Sequence, residues 1–270
     1  MRFSPVPSPR QYRLALIAAA ISLATMPAAM HAGPLNVIYY TIGTGDKDGG
    51  VGCCSSSTNE VLSTLGPNGL PLLNPAMTGA PVPTDVDAAG ELTYWSPSLN
   101  TGGAGGVSDV TQTGTGTATV PIVNNSFYPP NGTGSYDGGS AGFQAAYFYG
   151  ILNAPTSEAI TFNIGSDDEA FVYLDGNVVC DDGGVHGATS VPCTTPTVSA
   201  GDHTLQIFYD DINPTGAVLD FSIATEGVTT SPITSATPEP SSLLLLGTGL
   251  VGLAGMARRK IVLRVLKFNN

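Results

Sequence analysis

The chain has 270 residues, only 11% of them charged, with 34 glycines, 21 prolines and 4 cysteines. Nine Lys and Arg stand against 21 Asp and Glu, a formal charge of −12. That balance excludes a partner recognised through its phosphates, whether nucleic acid or an anionic membrane surface. It suits divalent cations and keeps a β-rich chain soluble.

The N-terminus sets Arg2, Arg10 and Arg13 before the apolar run Leu14–Ala24, then small residues and Pro27. A basic start, a short apolar middle and a small-residue exit predict a secretory signal helix over residues 1–32, removed after Ala32. At the other end Pro238-Glu239-Pro240 precedes the Gly-containing apolar run Leu243–Ala257 and the cluster Arg258-Arg259-Lys260, with a tail over 261–270. This is a stiff linker, a hydrophobic helix short for a bilayer, and a positive stop on its cytoplasmic side. With both ends set aside, and Glu239 with them, Lys47 alone faces 20 of the 21 acids, a formal charge of −19.

Between the ends, Leu35–Ile42 predicts the first strand. Residues 43–57 form a Gly-rich loop holding Asp46, Asp48, Cys53 and Cys54. Its Asp46-Lys47-Asp48-Gly49-Gly50 is like the start of a calcium loop without the later ligands and closing Glu. Asn59–Leu65 reads as a short helical turn, and a Pro- and Gly-rich loop runs on to Pro83. Glu91–Ser96 contains the sole tryptophan, Trp95, either a stacking platform for a sugar ring or a core residue. Val110–Val123 alternates Thr with small residues and predicts an exposed hairpin strand. Phe143–Leu152 is apolar on both faces, hence central in its sheet.

Ile160, Phe162 and Ile164 alternate with polar residues up to the adjacent acids Asp167 and Asp168. A second run, Ala170–Leu174, leads into Asp175-Gly176, a dipeptide that closes tight hairpins because both positions take positive φ. A loop with Asp181, Asp182 and His186 follows, then short strands at Thr195–Ser199 and His203–Tyr209. Asp210-Asp211-Ile212-Asn213-Pro214 precedes the last strand, Ala217–Ile223, and residues 227–237 form a Thr-, Ser- and Pro-rich linker. The expected fold is all-β, a single antiparallel, jelly-roll-like β-sandwich over 33–226 with one core, flanked by the two terminal helices.

Export permits disulfides. Cys180 and Cys193 flank the loop after the hairpin strand and are the natural pair. Cys53 and Cys54 are adjacent and bond to each other or each reach a later cysteine, since four cysteines allow three connectivities. His186 and His203 read as hydrogen-bonded structural residues. No nucleophile elbow is present, and Asp167 and Asp168 are chain neighbours instead of acids opposed across a cleft, so no catalytic activity is expected.

Two resemblances follow from these motifs. The Pro-Glu-Pro site, apolar helix and basic cluster resemble the PEP-CTERM sorting signal of Gram-negative exopolysaccharide producers. That implies an exosortase partner acting at Pro238, Glu239 and Pro240, with Arg258 and Arg259 in the basic stop. It also implies export to the cell surface or matrix, with membrane contact only through the helix before processing.

Ser166-Asp167-Asp168, Phe171 to Gly176, Gly183 to His186, Ala200 to His203 and Phe208-Tyr209 form an ordered series. Over residues 143–223 it resembles the fibro-slime domain and its relatives, the protective-antigen-insert sandwich and the flocculin adhesins. The resemblance implies that Asp167 and Asp168, joined by a cis peptide, hold a calcium ion that also binds sugar hydroxyls. Asp210, Asp211 and Asn213 correspond to the later ligand loop. Since neighbours on a regular strand face opposite ways, Asp167 and Asp168 must sit at a corner. The aromatic sugar loop of the flocculins is not recognisable. Candidate carbohydrate contacts are Asp167, Asp168 and Trp95, with an extracellular polysaccharide as partner. Two functions are expected: a calcium-dependent carbohydrate-binding adhesive module, or a structural matrix protein in which calcium or disulfides only stabilise loops.

Overall fold

Residues 143–154 carry apolar side chains on both faces, and the sheet grows outward from them. The computed structural model describes residues 32–50, 55–78, 81–124, 142–214 and 216–234. The signal and sorting helices, Cys53 and Cys54, and Pro238, Glu239, Pro240, Arg258 and Arg259 lie outside the described residues. Among those described there is no helix, and thus none long and apolar enough to cross a membrane. A compact unit extends to Ile233, and a second unit begins at Thr234.

Twelve strands follow in order: β1 (Pro34–Ile42), β2 (Val61–Leu65), β3 (Pro71–Leu73), β4 (Val110–Thr119), β5 (Phe143–Ala154), β6 (Glu158–Asp167), β7 (Glu169–Leu174), β8 (Asn177–Asp182), β9 (Val191–Val198), β10 (Gly201–Asp211), β11 (Val218–Ile223) and β12 (Thr229–Ser231). The large sheet has the order β3-β2-β8-β7-β10-β5-β1-β4, with β12 also paired to β5; the small sheet is β11-β6-β9. All pairings are antiparallel.

Between the sheets lies the sandwich core. Phe148 of β5, Leu205, Ile207 and Tyr209 of β10, and Val172 of β7 meet Ile160, Phe162 and Ile164 of β6 and Phe221 of β11. A second apolar cluster fills the other face of the large sheet, where Phe143, Phe171, Tyr173 and Phe208 pack under Leu92, Tyr94 and Trp95. Residues 43–109 supply this cover. The expectation of one core is therefore corrected to two, because strands apolar on both faces need an apolar layer on each. Asn59–Leu65 is corrected as well: it holds β2, not a helical turn, since it adds to the sheet edge beside β8. Part of the expected linker also belongs to the sheet, for β12 pairs with Leu152 and its neighbours and Thr230 is buried.

Local chemistry explains the joints. Asp175 and Gly176 take φ of 51° and 73° in the β7–β8 turn, as a tight hairpin requires. Asp175 then fastens that turn to β10: its Oδ1 accepts the Thr204 N–H at 2.8 Å, and its Oδ2 meets His203 Nδ1 at 2.6 Å. His203 Nε2 lies 2.9 Å from the Ser199 carbonyl, so this histidine is structural. Thr-rich β4 closes one edge of the large sheet with mostly exposed side chains.

Cys180 and Cys193 form a disulfide with Cα atoms 5.5 Å apart, linking β8 of the large sheet to β9 of the small one. Their separation is 13 residues, and closing a loop of that size stabilises a fold by about 3 kcal/mol. Replacing both cysteines by serine is expected to lower stability by about that amount, read as a lower chemical-denaturation midpoint with an unchanged slope.

Candidate functional site

The end of β6, the start of β7 and the end of β10 bring three carboxyl groups together. One oxygen from each of Asp167, Asp168 and Asp211 lies within 4.8 Å of the others. The Asp167–Asp168 peptide is cis, the geometry the flocculin resemblance implies. Hydrogen bonds brace the corner on both sides. Ser166 donates its N–H and hydroxyl to Asp182 Oδ2 at 3.1 and 2.7 Å, and Tyr209 donates its hydroxyl to the Asp167 carbonyl at 3.1 Å. Asp168 Oδ2 accepts the Ile212 and Asn213 amides at 2.8 and 2.7 Å. The ligand loop is thus anchored through its backbone.

What remains is carboxylate with nothing to meet it. Both oxygens of Asp211 are buried and lack a hydrogen-bond partner. Opposite Asp211 on β5 stands Gln144, fully buried, with its amide oxygen and nitrogen also unpartnered. Burial pushes Asp167 up to about 7, with the Asp168 charge adding to it. Burial likewise raises Asp168 to about 6 against the opposing pull of the two amides. Asp211 goes to about 10, through burial first and then the charges of Asp168 and Asp167. A site of hard oxygen donors with excess negative charge and orphaned atoms fits calcium.

Two expected site residues lie elsewhere. Asp210 is corrected out of the group at Asp167: strand alternation sends it to the opposite face of β10, beside Phe208 and across from Glu169. Of the two readings of Trp95 the core one holds, and its place among the candidate carbohydrate contacts is corrected. It is 3% exposed, its Nε1–H donates to the Tyr209 carbonyl at 2.8 Å, and its ring meets Phe208 edge-on at 5.1 Å. Asn213 stands at the corner through its backbone N–H, which donates to Asp168.

The Asp46–Gly50 loop is structural on one side and acidic on the other. Asp48 is saturated, accepting the Thr84 and Asp85 amides and the Thr84 and Tyr94 hydroxyls. Asp46 is pushed up to about 7 by burial and by the charges of Asp109 and Asp85, while Lys47 pairs with Asp85 at 3.4 Å. Sequence reasoning missed Gln144, Glu60 and Glu169. For Glu169 a signal existed, since it directly follows the aspartate pair; for Glu60 there was none.

The fold and site define a class: a two-sheet antiparallel domain presenting paired aspartates at one corner of the larger sheet. Comparison with known families gives the particular assignment. The PA14 domain model matches residues 131–234, and the PEP-CTERM protein-sorting motif matches residues 236–260. The chain thus carries a PA14 domain followed by a PEP-CTERM protein-sorting motif, which marks an exported, cell-surface protein. No curated protein matches the chain.

Among solved structures, the chain is similar to the PA14 sugar-binding domain from an RTX adhesin at 19% identity and TM-score 0.28, covering 36% of this chain and 54% of that one. The chain therefore spans about half the length of that relative. It is also similar to the PA14 domain of an antifreeze protein, at 13% identity and TM-score 0.34, covering 79% and 98%. A GH31 alpha-xylosidase from Xanthomonas citri aligns at 12% identity and TM-score 0.35, covering 70% and 22%.

The raised carboxyl groups set a pH dependence. From an ordinary value of 3.8, Asp46 and Asp167 rise to about 7 and Asp168 and Asp181 to about 6. The folded protein therefore keeps protons that the unfolded chain has released. The stability these groups contribute is complete below their unfolded values and is lost as pH rises through their folded ones. In chelator, the thermal midpoint is expected to fall between about pH 5 and about pH 8; a midpoint that rises over that span contradicts the assignment.

Proposed function

We propose that Asp167, Asp168 and Asp211, with Gln144 beside them, hold a calcium ion whose open positions take sugar hydroxyls. The protein is then a non-catalytic, calcium-dependent carbohydrate-binding module on the surface or in the matrix of a Gram-negative bacterium. The observation that carries this reading is the convergence of three carboxyl groups, one of them buried with both oxygens unpartnered. Calcium accepts six to eight oxygen ligands, more than three carboxylates fill, so water or a hydroxyl-bearing ligand completes the shell. The PA14 match and the sugar-binding name of the RTX adhesin domain support the ligand class. The polysaccharide layer to which the sorting motif delivers a protein supplies such a ligand. The residues bind and orient; Asp168 stays fixed by its two amides while Asp167, less buried, faces the opening.

The burial of Trp95 favours a second reading. Without that aromatic platform, calcium at this corner stabilises loops in a matrix protein and no glycan is taken.

The thermal midpoint is expected to rise with calcium, and an Asp167→Ala/Asp168→Ala variant to lose the part of the rise that this corner contributes. At a hundredfold excess over Kd the gain amounts to about 2.7 kcal/mol. Retention on immobilised polysaccharide that disappears in chelator establishes the lectin reading. A calcium-dependent midpoint without retention establishes the matrix reading, and no shift at millimolar calcium ends both.

A further inference from the structure

A second set of carboxylates lies on the other face of the large sheet, beneath the 43–109 cover. Glu169 and Asp210 are directly paired residues of β7 and β10, so their side chains rise together from one face. Glu60, just before β2 in the cover, reaches over Gly183 toward Glu169. A Cβ on Gly183 would lie 2.6 Å from Glu60 Oε2 and 3.1 Å from Asp181 Oδ1, so only glycine leaves the passage open.

All three residues are fully buried, and all six of their carboxylate oxygens lack a hydrogen-bond partner. Asp181 adds one more orphaned oxygen, Oδ1; its Oδ2 accepts the Val61 amide at 3.0 Å.

An unpaired buried carboxylate is costly and must be met by a positive charge or a proton. Among the described residues no side-chain cation is free to meet them. Lys47 is the sole Lys or Arg among the described residues, and it sits on Asp85. His186 and His203 face Asp182 and Asp175.

We propose that Glu60 and Glu169, with Asp210 beside them, hold a second divalent cation, calcium by donor type, which fastens the cover to the large sheet. The donors are all oxygen, as calcium requires. They come from both layers, Glu60 from the cover and the others from the sheet, so the ion adds a tie between layers that β2 and a few hydrogen bonds already join. Besides the Val61 amide on Asp181, the cover is tied near this point through backbone groups: Ser57 exchanges hydrogen bonds with Gly183 at 2.6 and 3.0 Å, and Ser55 donates to the Val185 carbonyl at 3.0 Å. Trp95 is held in the same layer against Phe171 and Phe208, so it reports whether the cover is seated. This site is separate from the Asp167 corner and does not rest on the function proposed there.

The test counts calcium per full-length chain by atomic emission after equilibration with excess calcium, and follows Trp95 fluorescence on chelation. Glu60→Gln is expected to bind one ion fewer than the wild type and to lose the calcium response of Trp95. Asp210→Asn repeats the loss from the sheet side, so the result does not hang on one variant. Asp167→Asn/Asp168→Asn is expected to lose a different ion and keep the Trp95 response. Wild-type calcium content in both Glu60→Gln and Asp210→Asn overturns the proposal. So does a Glu60→Gln chain that keeps its calcium and melts higher in chelator, the signature of shared protons. Loss of calcium only in the Asp167/Asp168 variant leaves the corner reading standing and sinks this one; loss only in the Glu60 and Asp210 variants does the reverse.

Discussion

A strand buried on both faces has no place for a charge except its end. In the middle of the large sheet, β5, β10 and β7 run between two apolar layers, and their interior residues are almost all hydrophobic. The antiparallel pairing sets the end of β10 against the start of β7. Asp210-Asp211 and Asp167-Asp168-Glu169 therefore gather at one rim of the sheet, with Gln144 of β5 alongside. The site is a consequence of how the core is filled: acids excluded from the interior of three adjacent strands collect where those strands stop.

Period two then divides the acids. Alternate residues of a strand face opposite ways, so Asp211 joins Asp167 and Asp168 on the side of Tyr209, and Asp210 joins Glu169 on the side of Phe208. The carboxyl groups on one side of the sheet and those on the other are thus placed by adjacent residues in two short runs. With one lysine inside the described chain, neither set has a basic partner to quench it.

The legible parts of the sequence were those carried by neighbours. Alternation in Ile160–Ile164, the two-faced apolar run after Phe143 and the Asp175-Gly176 turn each encode their geometry within a few residues. Alternation also separates Asp210 from Asp211, although their adjacency makes one ligand loop the more obvious grouping. The cover was illegible because its contacts are remote. Trp95 bonds to a carbonyl 114 residues away, and the Val61 amide to a carboxylate 120 away. A Pro- and Gly-rich stretch with few strands carries no period announcing the sheet face it will roof. Glu60 becomes meaningful only when that roof is in place.

The two ends of the domain are neighbours in space. Thr230 of β12 donates its hydroxyl to the Gly33 carbonyl at 2.6 Å, and Gly33 immediately precedes β1. A pull applied to the chain beyond Ile233 reaches the sheet through β12, which is held by three residue pairs to β5 and by that single side-chain tie. Such a strand yields to tension one pair at a time, like a seam, while the long β5–β10 ladder of eleven pairs lies behind it. Under load the domain has a short sacrificial strand ahead of its aspartate corner, so shear from outside spends itself at the exit before it reaches those side chains.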